Sequence, residues 1–224
     1  MIGRSGRAAT AALLLASAAL GAPPPPSPKK PTNAALRKAF ENNARSVVEV
    51  KGPHASGAGV VVGRGGQVLT SVDFVSLEEA TVIVNGQSLH ARVVMASAEL
   101  KAAVVVVDPP SAGAPDAGTP PGAGAPPELR AAAVRLDETF TAGTELVAIA
   151  RDEAGALQPR LAEISKGRKV TSPFVEVNVP LPKGTPLFDA QGRLVAIAVQ
   201  RRKSSSRALP VPEVKGQLAQ GEPP

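Results

Sequence analysis

The chain has 224 residues, a formal charge of +6, no cysteine and two histidines. Disulfides, thiol nucleophiles, cysteine-based metal sites and multi-histidine metal centres are therefore excluded. With five phenylalanines and neither tyrosine nor tryptophan, the chain has almost no stacking platforms for single-stranded nucleic acid, and its positive balance reads as solubility.

Residues 1–21 carry Arg4 and Arg7, an apolar run from Ala8 to Leu20, and a small residue at Gly21. That order reads as a secretory signal peptide and predicts export, to the periplasm or outside the cell. The run is too short and alanine-rich for a transmembrane span, so no stable membrane span is expected after cleavage. An uncleaved N-terminal anchor is the alternative. No cysteine follows, which excludes a lipoprotein anchor. Residues 22–32 form a proline-rich spacer. Asn33 can cap a helix running to about Arg45, with Leu36 and Phe40 on one face.

From Ser46 the period becomes strand-like. Val47–Val50 and Gly57–Val62 are the first two predicted strands, and Gly65-Gly66 turns into Val68-Leu69-Thr70. Thr81–Val84 meets Leu89–Val94 across Asn85-Gly86, a two-residue hairpin signal. Ala102–Val107 closes this half, residues 33–108, with a continuous apolar strand. Residues 109–128 are almost entirely Pro, Gly, Ala, Ser, Thr and Asp, a composition that cannot bury a core and predicts a linker. Strands resume over Arg130–Arg135, Glu145–Ala150, Leu157–Ile164, Phe174–Asn178 and Arg193–Gln200. Val211–Ala219 is a predicted closing helix with Pro212 in its first turn. Short strands without long helices between them predict two all-β units, over 33–108 and 129–220, as barrels or sandwiches.

Three segments then line up in order. Ala55–Val62 with Gly66–Val75 is similar to the signature that carries the general-base histidine in the trypsin-like serine proteases, in their HtrA-like branch. Glu99–Asp108 is similar to the segment bearing the orienting aspartate. Lys183-Gly184-Thr185-Pro186-Leu187, followed by Asp189–Ile197, resembles the nucleophile loop, and Arg207–Pro210 resembles the exit from the second barrel. The resemblance covers about residues 35–220 and implies two six-stranded antiparallel barrels with a short N-terminal and a C-terminal helix, and no PDZ domain after them.

On that register the family's histidine falls on Asp73, its aspartate on Lys101 (or, with a two-residue slip, on Glu99), and its serine on Lys183. Leu181-Pro182 stands where the oxyanion turn would be, and proline has no N–H to donate. Triad chemistry needs a nucleophilic hydroxyl or thiol, a base and a group orienting that base. A carboxylate is a weak base near neutral pH, and an ammonium has no lone pair, so the resemblance implies a catalytically degenerate member, a pseudoprotease. Ser71 and Thr185 are the alternative nucleophiles beside these positions. His54 reads as a solvated turn residue and His90 as a surface-face strand residue. The expected cluster is Asp73 between Lys101 and Lys183, tying the two barrels together.

Three function classes follow: an exported binding module taking a peptide or protein ligand in the inter-barrel cleft, an atypical hydrolase, or an envelope structural protein. No cofactor, metal or nucleic-acid partner is expected.

Overall fold

The computed structural model describes residues 33–63, 65–108, 128–137, 140–167 and 172–220. The predicted signal peptide, the proline-rich spacer and nearly all of the predicted linker lie outside these residues. Helix α1 spans Asn33–Asn43 and runs into a 3-10 turn at Ala44–Ser46. It precedes the first barrel in sequence but packs on the second: Phe40 joins the inter-barrel apolar cluster, and the Asn43 amide donates to the carbonyls of Ala39 (2.9 Å) and Gly192 (3.0 Å).

The first closed barrel contains β1 (Val47–Lys51), β2 (Ser56–Val61), β3 (Gln67–Ser71), β4 (Glu79–Val84), β5 (Gln87–Ser97) and β6 (Ala102–Val107), in the order β1-β2-β3-β6-β5-β4. Asn85 and Gly86 both take positive φ (51° and 81°), as a type I′ turn requires, and they set the β4–β5 register at Val84 opposite Gln87. The second barrel contains β7 (Glu145–Arg151), β8 (Leu157–Lys166), β9 (Val175–Val177), β10 (Pro186–Phe188), β11 (Leu194–Arg201) and β12 (Ser206–Pro210), in the order β10-β11-β12-β9-β8-β7. Every pairing in both barrels is antiparallel. The expected fold class is the observed one.

Burial divides into three apolar clusters. One fills the first barrel around Val50, Val61, Val68, Val82 and Val105, and one fills the second around Leu146, Ile164, Val177 and Leu187. The third lies between the barrels, where Val60, Leu69 and Val104 meet Phe188, Leu194, Ile197 and Leu209. Apolar burial stabilises at roughly 25 cal/mol per Å², so this third cluster is what fixes the two barrels against each other.

Two predicted elements are corrected. Arg130–Arg135 is not a strand; only Val134 bridges to Leu194. Its hydrogen bonds are divided between the barrels: the Ala132 N–H donates to the Val61 carbonyl (2.8 Å), while the Arg135 N–H donates to that of Leu194 (2.9 Å). A segment bonded to two different barrels cannot build a ladder with either. The predicted closing helix is a 3-10 turn at Val211–Val214 followed by the short helix α2 (Lys215–Gln220), because Val211 and Val214 are drawn into the inter-barrel cluster. Among the described residues no helix is long and apolar enough to cross a membrane.

Candidate functional site in the cleft between the barrels

Asp73 is carried by a 3-10 turn, Val72–Phe74, directly after β3. Ser71 caps that turn: its Oγ accepts from the Asp73 N–H and donates to Asp73 Oδ2, each at 3.4 Å. Lys183 reaches the same carboxylate from the second barrel. It occupies the second position of a four-residue turn, Pro182–Thr185, closed by a 3.3 Å bond from the Thr185 N–H to the Pro182 carbonyl. Gly184, at the third position, takes φ +77°, the left-handed conformation that a type II turn requires there. Lys183 Nζ donates to Asp73 Oδ2, closing an ion pair across the cleft.

Lys101 does not join this pair. It sits at the end of the turn between β5 and β6 with φ +54°, and its carbonyl accepts from the Val72 N–H at 3.3 Å. Among the described residues no carboxylate pairs with its ammonium. The expected three-member cluster is therefore a two-member one, with Lys101 supporting the Asp73 turn through its backbone. Glu99, the alternative register, is exposed in the same turn.

The two alternative nucleophiles are both inaccessible. Ser71 and Thr185 are fully buried, and Thr185 Oγ1 has no hydrogen-bond partner among the described residues. At the position the resemblance gives to an oxyanion donor, the Leu181 N–H is already engaged by Ser206 Oγ at 2.7 Å, and Leu181 itself is sealed in the second barrel's core. Sequence reading missed Ser206, since a serine at the head of a strand carries no motif.

Neither histidine bonds to Asp73 or Lys183. His54 is exposed. His90 is on the outer face of β5, with Nδ1 2.6 Å from Asp108 and Nε2 3.1 Å from Glu79. The Asp108 carboxylate, then that of Glu79, hold the imidazole above its ordinary pKa, while Arg92 and then His90 hold the Asp108 carboxyl below its own. No group of metal-ligating side chains that could hold an ion occurs among the described residues.

Two cavities occupy the space between the barrels, of about 1160 and 810 Å³, and Glu49, Arg151 and Gly155 line both. The smaller one lies beside the Lys183 turn, between Ser56–Ala58 of β2 on one side and Pro180, Pro182 and Arg201 on the other.

Solved structures match this architecture across most of the chain. It is similar to the inactive form of the Rv3671c protease of M. tuberculosis, at 18% identity over 87% of this chain and 98% of that one, with a TM-score of 0.61. The chain has the trypsin-like two-barrel fold. It is also similar to a serine endoprotease from Yersinia pestis, at 18% identity over 87% of this chain and 70% of that one (TM-score 0.65). The HtrA-type protease AlgW, solved with a decapeptide, matches at 15% identity over 83% of this chain and 67% of that one (TM-score 0.64). No protein-family model matches the sequence, and no curated protein sequence matches it. At such identities the trypsin-like fold is what is shared, and function must be argued from the cleft itself.

Proposed function

We propose that this chain is an exported, non-catalytic binding module, a pseudoprotease whose inter-barrel cleft takes an extended peptide segment. The observation that carries the reading is the Lys183–Asp73 ion pair, made by the two residues that the family resemblance puts at the nucleophile and base positions. A protonated ammonium has no lone pair to attack with, and a carboxylate paired to it is a weak base, so the two do not supply the nucleophile and base of acyl transfer. The engaged Leu181 N–H and the burial of Ser71 and Thr185 support the same conclusion.

Strand addition is the binding mode the backbone offers. β11 runs to Arg201, but its pairing with β10 ends at Ile197 opposite Pro186. The Ala198 N–H and carbonyl still meet Thr185 and Gly184, and beyond them Val199–Arg201 has no strand partner on that edge among the described residues. An extended peptide can complete such an edge with main-chain hydrogen bonds.

The test is a casein and fluorogenic-peptide assay on the purified chain beside Lys183→Ser, with a peptide titration followed by calorimetry. We expect no turnover from either protein and saturable peptide binding. Turnover that disappears in Lys183→Ala or Thr185→Val would overturn the reading. Export rests on residues 1–21 and is tested by cell fractionation with and without them: the truncated chain is expected to stay with the cytoplasmic fraction.

A further inference from the structure

The smaller cavity lies at the open mouth of the second barrel, and its charged lining is specific. Arg160 stands opposite Ala148 across the β7–β8 ladder, and Arg201 stands opposite Ser206 across β11–β12. Directly paired residues share one face of a sheet. Ala148 and Ser206 are fully buried, and Ala162 and Ile164, two and four residues beyond Arg160, are core of the second barrel. Both arginines therefore continue the inward-facing rows of the barrel past the point where apolar side chains fill it. The C-terminal end of β7 and the N-terminal end of β8, the N-terminal end of β10, and the junction of β11 with β12 all lie at this end. The two guanidinium groups thus come from different walls of one mouth.

Neither makes an ion pair. Arg160 and Arg201 are exposed, and among the described residues no carboxylate lies within ion-pair distance of either. The cavity's own acids do not fill the role. Asp152 lines the cavity but bonds within its own turn, Oδ1 accepting from the N–H groups of Ala154 and Ala156 and Oδ2 from Gln158. Glu49 and Glu153 also line the cavity without pairing to a guanidinium. A third arginine of the cavity lining, Arg151, belongs to the other face of β7, paired with Leu157, and donates Nη1 to the Gly155 carbonyl at 2.8 Å. Arg160 and Arg201 are therefore two guanidinium groups whose donors lack a carboxylate acceptor.

We infer that this mouth receives an acidic side chain, so that the cleft selects extended peptides carrying aspartate or glutamate, with Arg160 and Arg201 holding the carboxylate. The inference rests on the peptide-binding reading above and specifies its ligand. Arg201 is also the last residue of the unpaired β11 edge, so a strand added there would bring its side chains past the mouth.

The test uses the purified full chain and three fluorescein-labelled, valine-rich octapeptides that differ only in their two central residues: glutamate, glutamine or lysine. Fluorescence anisotropy reads the affinity, and a single-stranded oligonucleotide of matched charge is the competing anion. The glutamate peptide is expected to bind about tenfold or more tightly than the glutamine peptide. In Arg160→Gln/Arg201→Gln that preference should vanish, with the thermal midpoint preserved. Equal binding of all three peptides would overturn the acidic selectivity and leave peptide binding standing. No binding of any of them would overturn both. Oligonucleotide binding as tight as the glutamate peptide's, lost in the same double variant, would also overturn the inference, since the mouth would then be a general polyanion site.

Discussion

The position that should tolerate least change is Gly184, which links the Lys183 turn to the first barrel. A methyl group there meets two separate penalties. The first is conformational: φ is +77°, and an L-residue in the left-handed region costs about 1–2 kcal/mol. The second is steric. A Cβ would lie 1.9 Å from the Ala58 carbonyl oxygen and 2.8 Å from its carbon, atoms of β2 in the other barrel. That carbonyl cannot retreat easily, because it accepts from Thr70 Oγ1 at 2.8 Å and belongs to a paired strand. Relieving such an overlap adds about 1–3 kcal/mol. Gly184→Ala should therefore lose about 2–5 kcal/mol, a fall in thermal midpoint of roughly 10 °C for a chain of this size. Gly155 is the internal control: its φ is +82°, yet a Cβ there meets nothing within 4 Å. Gly155→Ala should lose only the conformational part. Urea unfolding of both variants beside the parent measures the difference, and coincident midpoints for the two would refute the claim that the Lys183 turn is wedged against β2.

The remaining predictions concern the polar contacts. The Lys183 and Asp73 side chains are 44% and 45% exposed, so a double-mutant cycle with Asp73→Asn and Lys183→Met should give a coupling of about 0.2–1 kcal/mol that weakens with salt; a coupling several times larger would mean the pair is shielded from water. Ser206→Ala removes the acceptor of the buried Leu181 N–H and should cost about 1–3 kcal/mol by urea unfolding, and an unchanged midpoint would show that N–H to be satisfied in another way. His90 should titrate above its ordinary value in an NMR pH series and move back toward it in Asp108→Asn. Because its folded pKa is raised, its stabilising contribution is complete below about pH 6.5 and is lost as pH rises through the folded value. The depressed Asp108 carboxyl works the other way, its contribution being lost as pH falls through its folded value. Stability that instead rose across His90's titration would contradict this arrangement.

How much of this was legible in the sequence depended on whether the deciding contact was local. The Asn85-Gly86 hairpin and the Ala102–Val107 strand were, because a positive-φ dipeptide and an unbroken apolar run each specify their own geometry. β10 was not. It has three residues, begins with a proline and owes its strand form to pairing with β7 and β11. The alternation in Arg130–Arg135 was real but misleading, since Leu129, Ala132 and Val134 are apolar in order to pack on two different bodies.

The site divides along the same line. Asp73 and Lys183, 110 residues apart, were legible only through the order of the family-like segments, because their meeting depends on how the two barrels dock. Lys101 stays out of the pair for a backbone reason: a left-handed residue in a tight turn offers its carbonyl to Val72, and its ammonium is paired with neither Asp73 nor any other described carboxylate. Arg160 and Arg201 were illegible altogether. Along a strand, an exposed arginine reads as part of a solvated face. Only closure of the barrel shows that the row carrying Arg160 is also the row carrying Ala162 and Ile164, and hence that it faces the inside of the barrel mouth rather than its outer wall. Under the proposed function, the binding character of the cleft is written in residues of this second kind. For that reason the arginine variants, more than Lys183→Ser, test whether the cleft is a receptor.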